Sequence, residues 1–111
     1  MISLISSVDA IKKCLNKQGI LVDVRSPEEY RLGHLPMAEN VPLDRILEGN
    51  HSFPKEMELY FYCDTGASSM LAAREMDKVG RKVHSMAGGL REYRGYLEKE
   101  EKELWTMVWK E

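Results

Sequence analysis

The sequence predicts an α/β fold, a five-stranded, mainly parallel sheet with helices on both faces. Three observations carry this. Apolar runs such as Ile20-Leu21-Val22-Asp23-Val24 and Leu59-Tyr60-Phe61-Tyr62 lack polar alternation, as strands covered on both faces do. Segments with apolar residues at helical spacing stand between such runs. The resulting alternation of strand and helix asks for crossover connections and hence parallel pairing.

A chain of 111 residues is long enough for one core and too short for two. We therefore expect one domain over residues 1–111, with its core at about 4–97 and a helical tail at 98–111. Hydrophobic content of 43% and charged content of 31% are those of an ordinary globular domain. A net charge of −2 gives no reason to expect nucleic acid or an anionic membrane as partner. No stretch approaches the length of a membrane span, and no basic start leads into a long apolar run. Cys14 and Cys63 form neither a C-x-x-C pair nor a metal-ligand cluster, which fits a reducing compartment. The expected location is cytoplasmic, with no metal and no cofactor.

Ile2 to Ile5 reads as an edge strand. Ser6 and Ser7 can start a helix in which Val8, Ile11 and Leu15 share one face until Gly19, with Cys14 bordering it as packing. After the strand at 20–24, Ser26, Pro27 and Glu29 form a capping box, and Gly33 stops that short helix. Asp23 and Arg25 at the strand's carboxyl end are expected to pair with each other or with Glu29 and fix the loop. His34 reads as a hydrogen-bonded structural histidine. Ala38 to Val41 is a third short strand, closed by Pro42. Leu43, Ile46 and Leu47 suggest one or two helical turns, and His51 in the following loop is expected to be solvated.

The most informative stretch is Leu59 to Ser69. Cys63 ends an apolar strand, and a short loop of small residues leads into a helix marked by Ala72, Met76 and Val79, with Gly80 at its end. Ligands bind at this edge of open α/β sheets. Backbone N–H groups of the loop and first helical turn can converge there on a negative group. A helix amino terminus favours the thiolate, which is the nucleophilic form of cysteine. Gly66 permits close backbone approach, and Ala67, Ser68 and Ser69 leave room for a bowl. The competing reading is a small buried cysteine with no chemistry. Lys82 to Met86 then reads as the fifth strand, and Gly88-Gly89 opens a last helix from about Leu90. In the tail, Leu104 and Val108, and Trp105 and Trp109, lie four apart. They are expected to pack on the core, with a partner-docking surface as the alternative.

These residues also carry a family likeness. Asp23-Val24-Arg25, Glu29-Tyr30, Gly33-His34-Leu35 and Ala38 to Pro42 resemble the first signature of rhodanese-like domains. Cys63-Asp64-Thr65-Gly66-Ala67-Ser68-Ser69 resembles their active-site loop. Gly88-Gly89-Leu90 with Tyr93 resembles their closing motif, where Trp is more usual. The resemblance implies a single-domain sulfurtransferase in which Cys63 takes sulfane sulfur from thiosulfate or a persulfide and passes it to a thiol or cyanide. A protein sulfur acceptor is a further candidate partner. Two departures are expected to matter: Ser68 stands where many members have Arg, and Asp64 follows the cysteine. A carboxylate there opposes both a thiolate and a dianionic donor. A non-catalytic binding module is the alternative function. A phosphatase or arsenate reductase is less favoured, because no Arg stands between Cys63 and Ser69 to hold an oxyanion bidentately.

Overall fold

The computed structural model describes residues 1–99. Five parallel strands run β1 (Ile2–Ile5), β2 (Gly19–Asp23), β3 (Glu39–Asn40), β4 (Glu58–Tyr62) and β5 (Val83–Met86). Their order across the sheet is β1-β5-β4-β2-β3, so β4 and β5 are interior and β1 is an edge. Four helices connect them: α1 (Ser7–Leu15), α2 (Pro27–Leu32), α3 (Leu43–Leu47) and α4 (Ala67–Lys78). The expected α/β class and parallel sheet are what the structure has.

Side chains along β2 and β4 alternate between two cores. Val22, Leu59, Phe61 and Cys63 face Ile46 of α3 and Ala72, Ala73 and Met76 of α4. Leu21, Tyr60 and Tyr62 face Ala10 and Cys14 of α1, with Leu35 and Leu90 beside them. Both faces are thus covered, which is why the strands read as continuous apolar runs.

Several local expectations shift. Helix α1 does not bury Val8 and Leu15, which are 56% and 60% exposed; its inner face is Ala10 and Cys14. These small residues let the helix sit close over the sheet. Likewise α4 ends at Lys78, and Val79 beyond it is exposed. The helix expected from about Leu90 is a 3₁₀ turn over Gly89–Glu92. His51 is not simply solvated: its ring stacks on Phe53 at 5.0 Å, and its buried Nδ1 has no partner. Glu98, assigned from sequence to the helical tail, instead bridges His34 by paired backbone bonds of 2.8 and 2.9 Å. The tail expectation for residues 100–111 lies outside the described residues. No helix of the described residues is long and apolar enough to cross a membrane.

Candidate active site

The site is built at the carboxyl ends of β2 and β4. Beyond Tyr62 the chain leaves the sheet, and Gly66 takes φ +103, a left-handed value that turns the loop into α4. That turn aims two backbone donors at one atom. Gly66 N–H donates to Cys63 Sγ at 3.1 Å, and Ser69 N–H donates at 3.4 Å. Convergent amides at a helix start hold negative charge on the sulfur.

Ser69 is fully buried and its hydroxyl is engaged, donating to the Gly66 carbonyl at 3.1 Å and bonding Ser85 Oγ at 2.8 Å. Its oxygen lies 3.7 Å from the sulfur, within reach of an S–H donor. Ala67 starts α4, and its N–H donates to Thr65 Oγ1 at 3.5 Å. The expected loop residues therefore divide by role. Asp64, Thr65 and Ser68 line a cleft of about 450 Å³ with Cys63, while Gly66 and Ser69 turn their N–H groups to the sulfur.

The opposite wall comes from the β2 end. Asp23 is completely buried, and Arg25 answers it with a forked contact of 3.1 and 2.7 Å. Arg25 also donates to the Gly33 carbonyl at 2.6 Å. Tyr62 donates to Asp23 at 2.9 Å and accepts the Leu35 N–H at 3.0 Å, and burial pushes its hydroxyl pKa upward. Asn40 Nδ2 donates to the Asp23 and Arg25 carbonyls at 3.0 Å each. This network locks the loop, as expected for the Asp23–Arg25 pair. His34 is buried, stacks on Tyr30 at 3.7 Å and bonds its carbonyl at 2.7 Å, away from the cleft. Its structural assignment agrees with that placement.

Asp64 is more constrained than a loop carboxylate would suggest. It lies 3.6 Å from Arg25 and is 55% exposed. Partial burial, then a hydrogen bond with Glu29, push its pKa upward. Glu29 is held low, first by the Ser26 hydroxyl at 3.0 Å. Sequence reasoning gave Glu29 a cap and missed its place on the cleft wall. It missed Arg91 altogether, which lines the cleft from the 3₁₀ turn. The signal was available: Arg91 lies two residues after the Gly88-Gly89 pair, and Gly89 brings that turn against the cysteine loop. Leu90 N–H donates to the Cys63 carbonyl at 2.9 Å, and Arg91 N–H to the Asp64 carbonyl at 3.0 Å.

Comparison with known proteins agrees with this architecture. The rhodanese-like domain family model matches residues 7–96. A tRNA sulfurtransferase of Desulfurococcus amylolyticus is 40% identical over 80 residues, covering 72% of this chain and 16% of that protein. A putative sulfur carrier protein of Bacillus subtilis is 33% identical over 95 residues, covering 83% of this chain and 51% of that protein. The chain thus spans at most about half the length of these two curated relatives. A rhodanese-like domain protein from Staphylococcus aureus superposes with a TM-score of 0.77 at 28% identity, covering 88% of this chain and 98% of that one.

Proposed function

This chain belongs to the rhodanese-like domain family, and from that membership we propose that it transfers sulfane sulfur through a persulfide on Cys63. The observation that carries the reading is the pair of N–H donors, Gly66 and Ser69, aimed at a sulfur that opens onto a polar cleft. Relatives named for sulfur transfer and sulfur carriage support the reaction class.

The chemistry needs two displacements at sulfur. The Cys63 thiolate attacks the outer sulfur of a donor such as thiosulfate or an organic persulfide. The donor's S–S bond breaks, its electron pair leaves with the donor remainder, and Cys63 keeps a terminal S⁻. An acceptor thiolate or cyanide then attacks that outer sulfur, and the Cys63 thiolate departs with the bonding pair. Sulfur serves as nucleophile and leaving group in turn, so two easier steps replace one difficult step. The loop amides stabilise charge on either sulfur without reorganising. The acceptor proposed is a small thiol, cyanide or a protein thiol.

The test is intact mass after incubation with thiosulfate and, separately, with an organic persulfide. The expected result is a gain of one sulfur in wild type and in Cys14→Ser, lost in Cys63→Ser and reversed by cyanide. Uptake that survives Cys63→Ser and disappears in Cys14→Ser refutes the assignment. No uptake from either donor favours a binding module instead.

A further inference from the structure

We propose that Arg91 is the specificity-determining cation of this cleft, pairing with the anionic end of the sulfur donor while its sulfane sulfur faces Cys63. The inference deepens the sulfur-transfer reading and rests on it.

Two arginines line the cleft, and they differ in how far they are committed. Arg25 is spent: Asp23, the Gly33 carbonyl and Asp64 already surround its guanidinium. Among the described residues no carboxylate, carbonyl or ring engages the Arg91 guanidinium; its backbone is fixed by its N–H bond to the Asp64 carbonyl and by the bond its own carbonyl accepts from Arg94 Nη1 at 3.0 Å. A planar fork of donors left open beside a nucleophile suits a carboxylate, sulfonate or similar anion. The carboxyls of Glu29 and Asp64 also line the cleft, so it carries groups of both signs, and a ligand with one anionic end is oriented by them. Its volume of about 450 Å³ falls within the range of sites that hold small organic molecules, so an anionic organic persulfide fits as well as thiosulfate.

The experiment separates this proposal from the transfer reading by using two alkylating agents of nearly equal size and different charge. In a Cys14→Ser background, the rates of Cys63 alkylation by iodoacetate and by iodoacetamide are measured for Arg91, Arg91→Lys and Arg91→Gln. The iodoacetate-to-iodoacetamide ratio should fall about tenfold in Arg91→Gln at low salt, the size expected for a hydrogen bond to a charged group. Arg91→Lys should keep part of the preference, and Arg74→Gln, at an exposed position of α4, should keep all of it. Raised salt should narrow the gap. In turnover, Arg91→Gln should raise KM for thiosulfate and for a carboxylate-bearing persulfide more than it lowers kcat. A ratio unchanged in Arg91→Gln overturns the proposal, as does an equal fall in Arg74→Gln, which indicates long-range field rather than pairing. Charge selectivity in alkylation without sulfur uptake leaves Arg91 as an anion contact and removes the transfer reading instead.

Discussion

Gly89→Ala should damage the site through the turn that closes over it. A Cβ at Gly89 would lie 2.4 Å from the Cys63 carbonyl oxygen and 2.5 Å from the carbonyl carbon and oxygen of Asp64. A tolerable C···O contact is about 3.3 Å, so the turn must back away by about 0.9 Å. That movement takes the Leu90 and Arg91 N–H bonds, now 2.9 and 3.0 Å, out of hydrogen-bonding range. Losing two such bonds costs about 2 kcal/mol. The φ of +59 adds strain for a residue with a Cβ, about 1–2 kcal/mol. The sum, about 3–4 kcal/mol, should lower the urea midpoint by about 2 M at the slope expected for a domain of this size. Gly80→Ala supplies the control. Gly80 has φ +82 with open space around its Cβ position, so that variant should show strain without the clash. Sulfur transfer, assayed where Gly89→Ala remains folded, should fall more than tenfold, because the Cys63 and Asp64 peptides shift with the turn. A Gly89→Ala protein with the midpoint of Gly80→Ala and wild-type transfer would refute this account of the closure.

Tyr62→Phe removes the hydroxyl between Asp23 and the Leu35 N–H, both buried; stability should fall by about 1–3 kcal/mol in urea titration, and a neutral result would mean the network repairs itself. Burial pushes the Cys14 thiol up to about 11 from 9.0, so the unfolded chain releases this proton first and stability should fall as pH rises from about 9 to about 11. Urea titrations across that window should show a shallower alkaline slope in Cys14→Ala than in wild type; equal slopes would show that the thiol is not the group responsible. Asp64→Asn should speed thiosulfate turnover, most at low salt, because it removes a carboxylate from the cleft. The gain should stay below about fivefold, since an exposed ion pair of this kind is worth about 0–1 kcal/mol. A turnover rate unchanged at every ionic strength would mean that the Asp64 charge does not reach the donor.

Much of the fold was legible because a parallel sheet covered on both faces leaves an unmistakable trace. Val22, Leu59 and Phe61 are fully buried, and their runs are apolar apart from Asp23. The capping box at Ser26 and Glu29 likewise formed as its spacing required. Helix α1 was misread for a physical reason: apolar periodicity weighs Val8 and Leu15 heavily, whereas a close helix–sheet contact selects small residues, here Ala10 and Cys14. The last helix was overread because a glycine pair announces a turn without saying how far helix continues beyond it. At the site, the geometry of the Cys63 loop was legible because one continuous segment supplies cysteine, turn and amides. The opposing wall was less so, since it is assembled from α2 and the 3₁₀ turn.

That assembly changes the electrostatic argument about the donor. Counted along the chain, the loop from Cys63 to Ser69 holds one acidic residue and no basic one, which argues against an anionic donor. Counted in space, the cleft also contains Arg25, Glu29 and Arg91. Arg25 is largely neutralised by Asp23 and draws Asp64 toward itself at 3.6 Å. Partial burial and the neighbouring Glu29 push the Asp64 carboxyl pKa upward, which opposes its ionised form. Among the described residues, what remains without a partner in that lining is the Arg91 guanidinium. Repulsion by Asp64 and attraction by Arg91 fall off with distance alike, and a direct contact exceeds a screened charge several ångströms away. If Arg91 pairs with the donor as proposed, an anion that reaches it is accepted despite Asp64, and one too short to reach it meets the carboxylate unopposed.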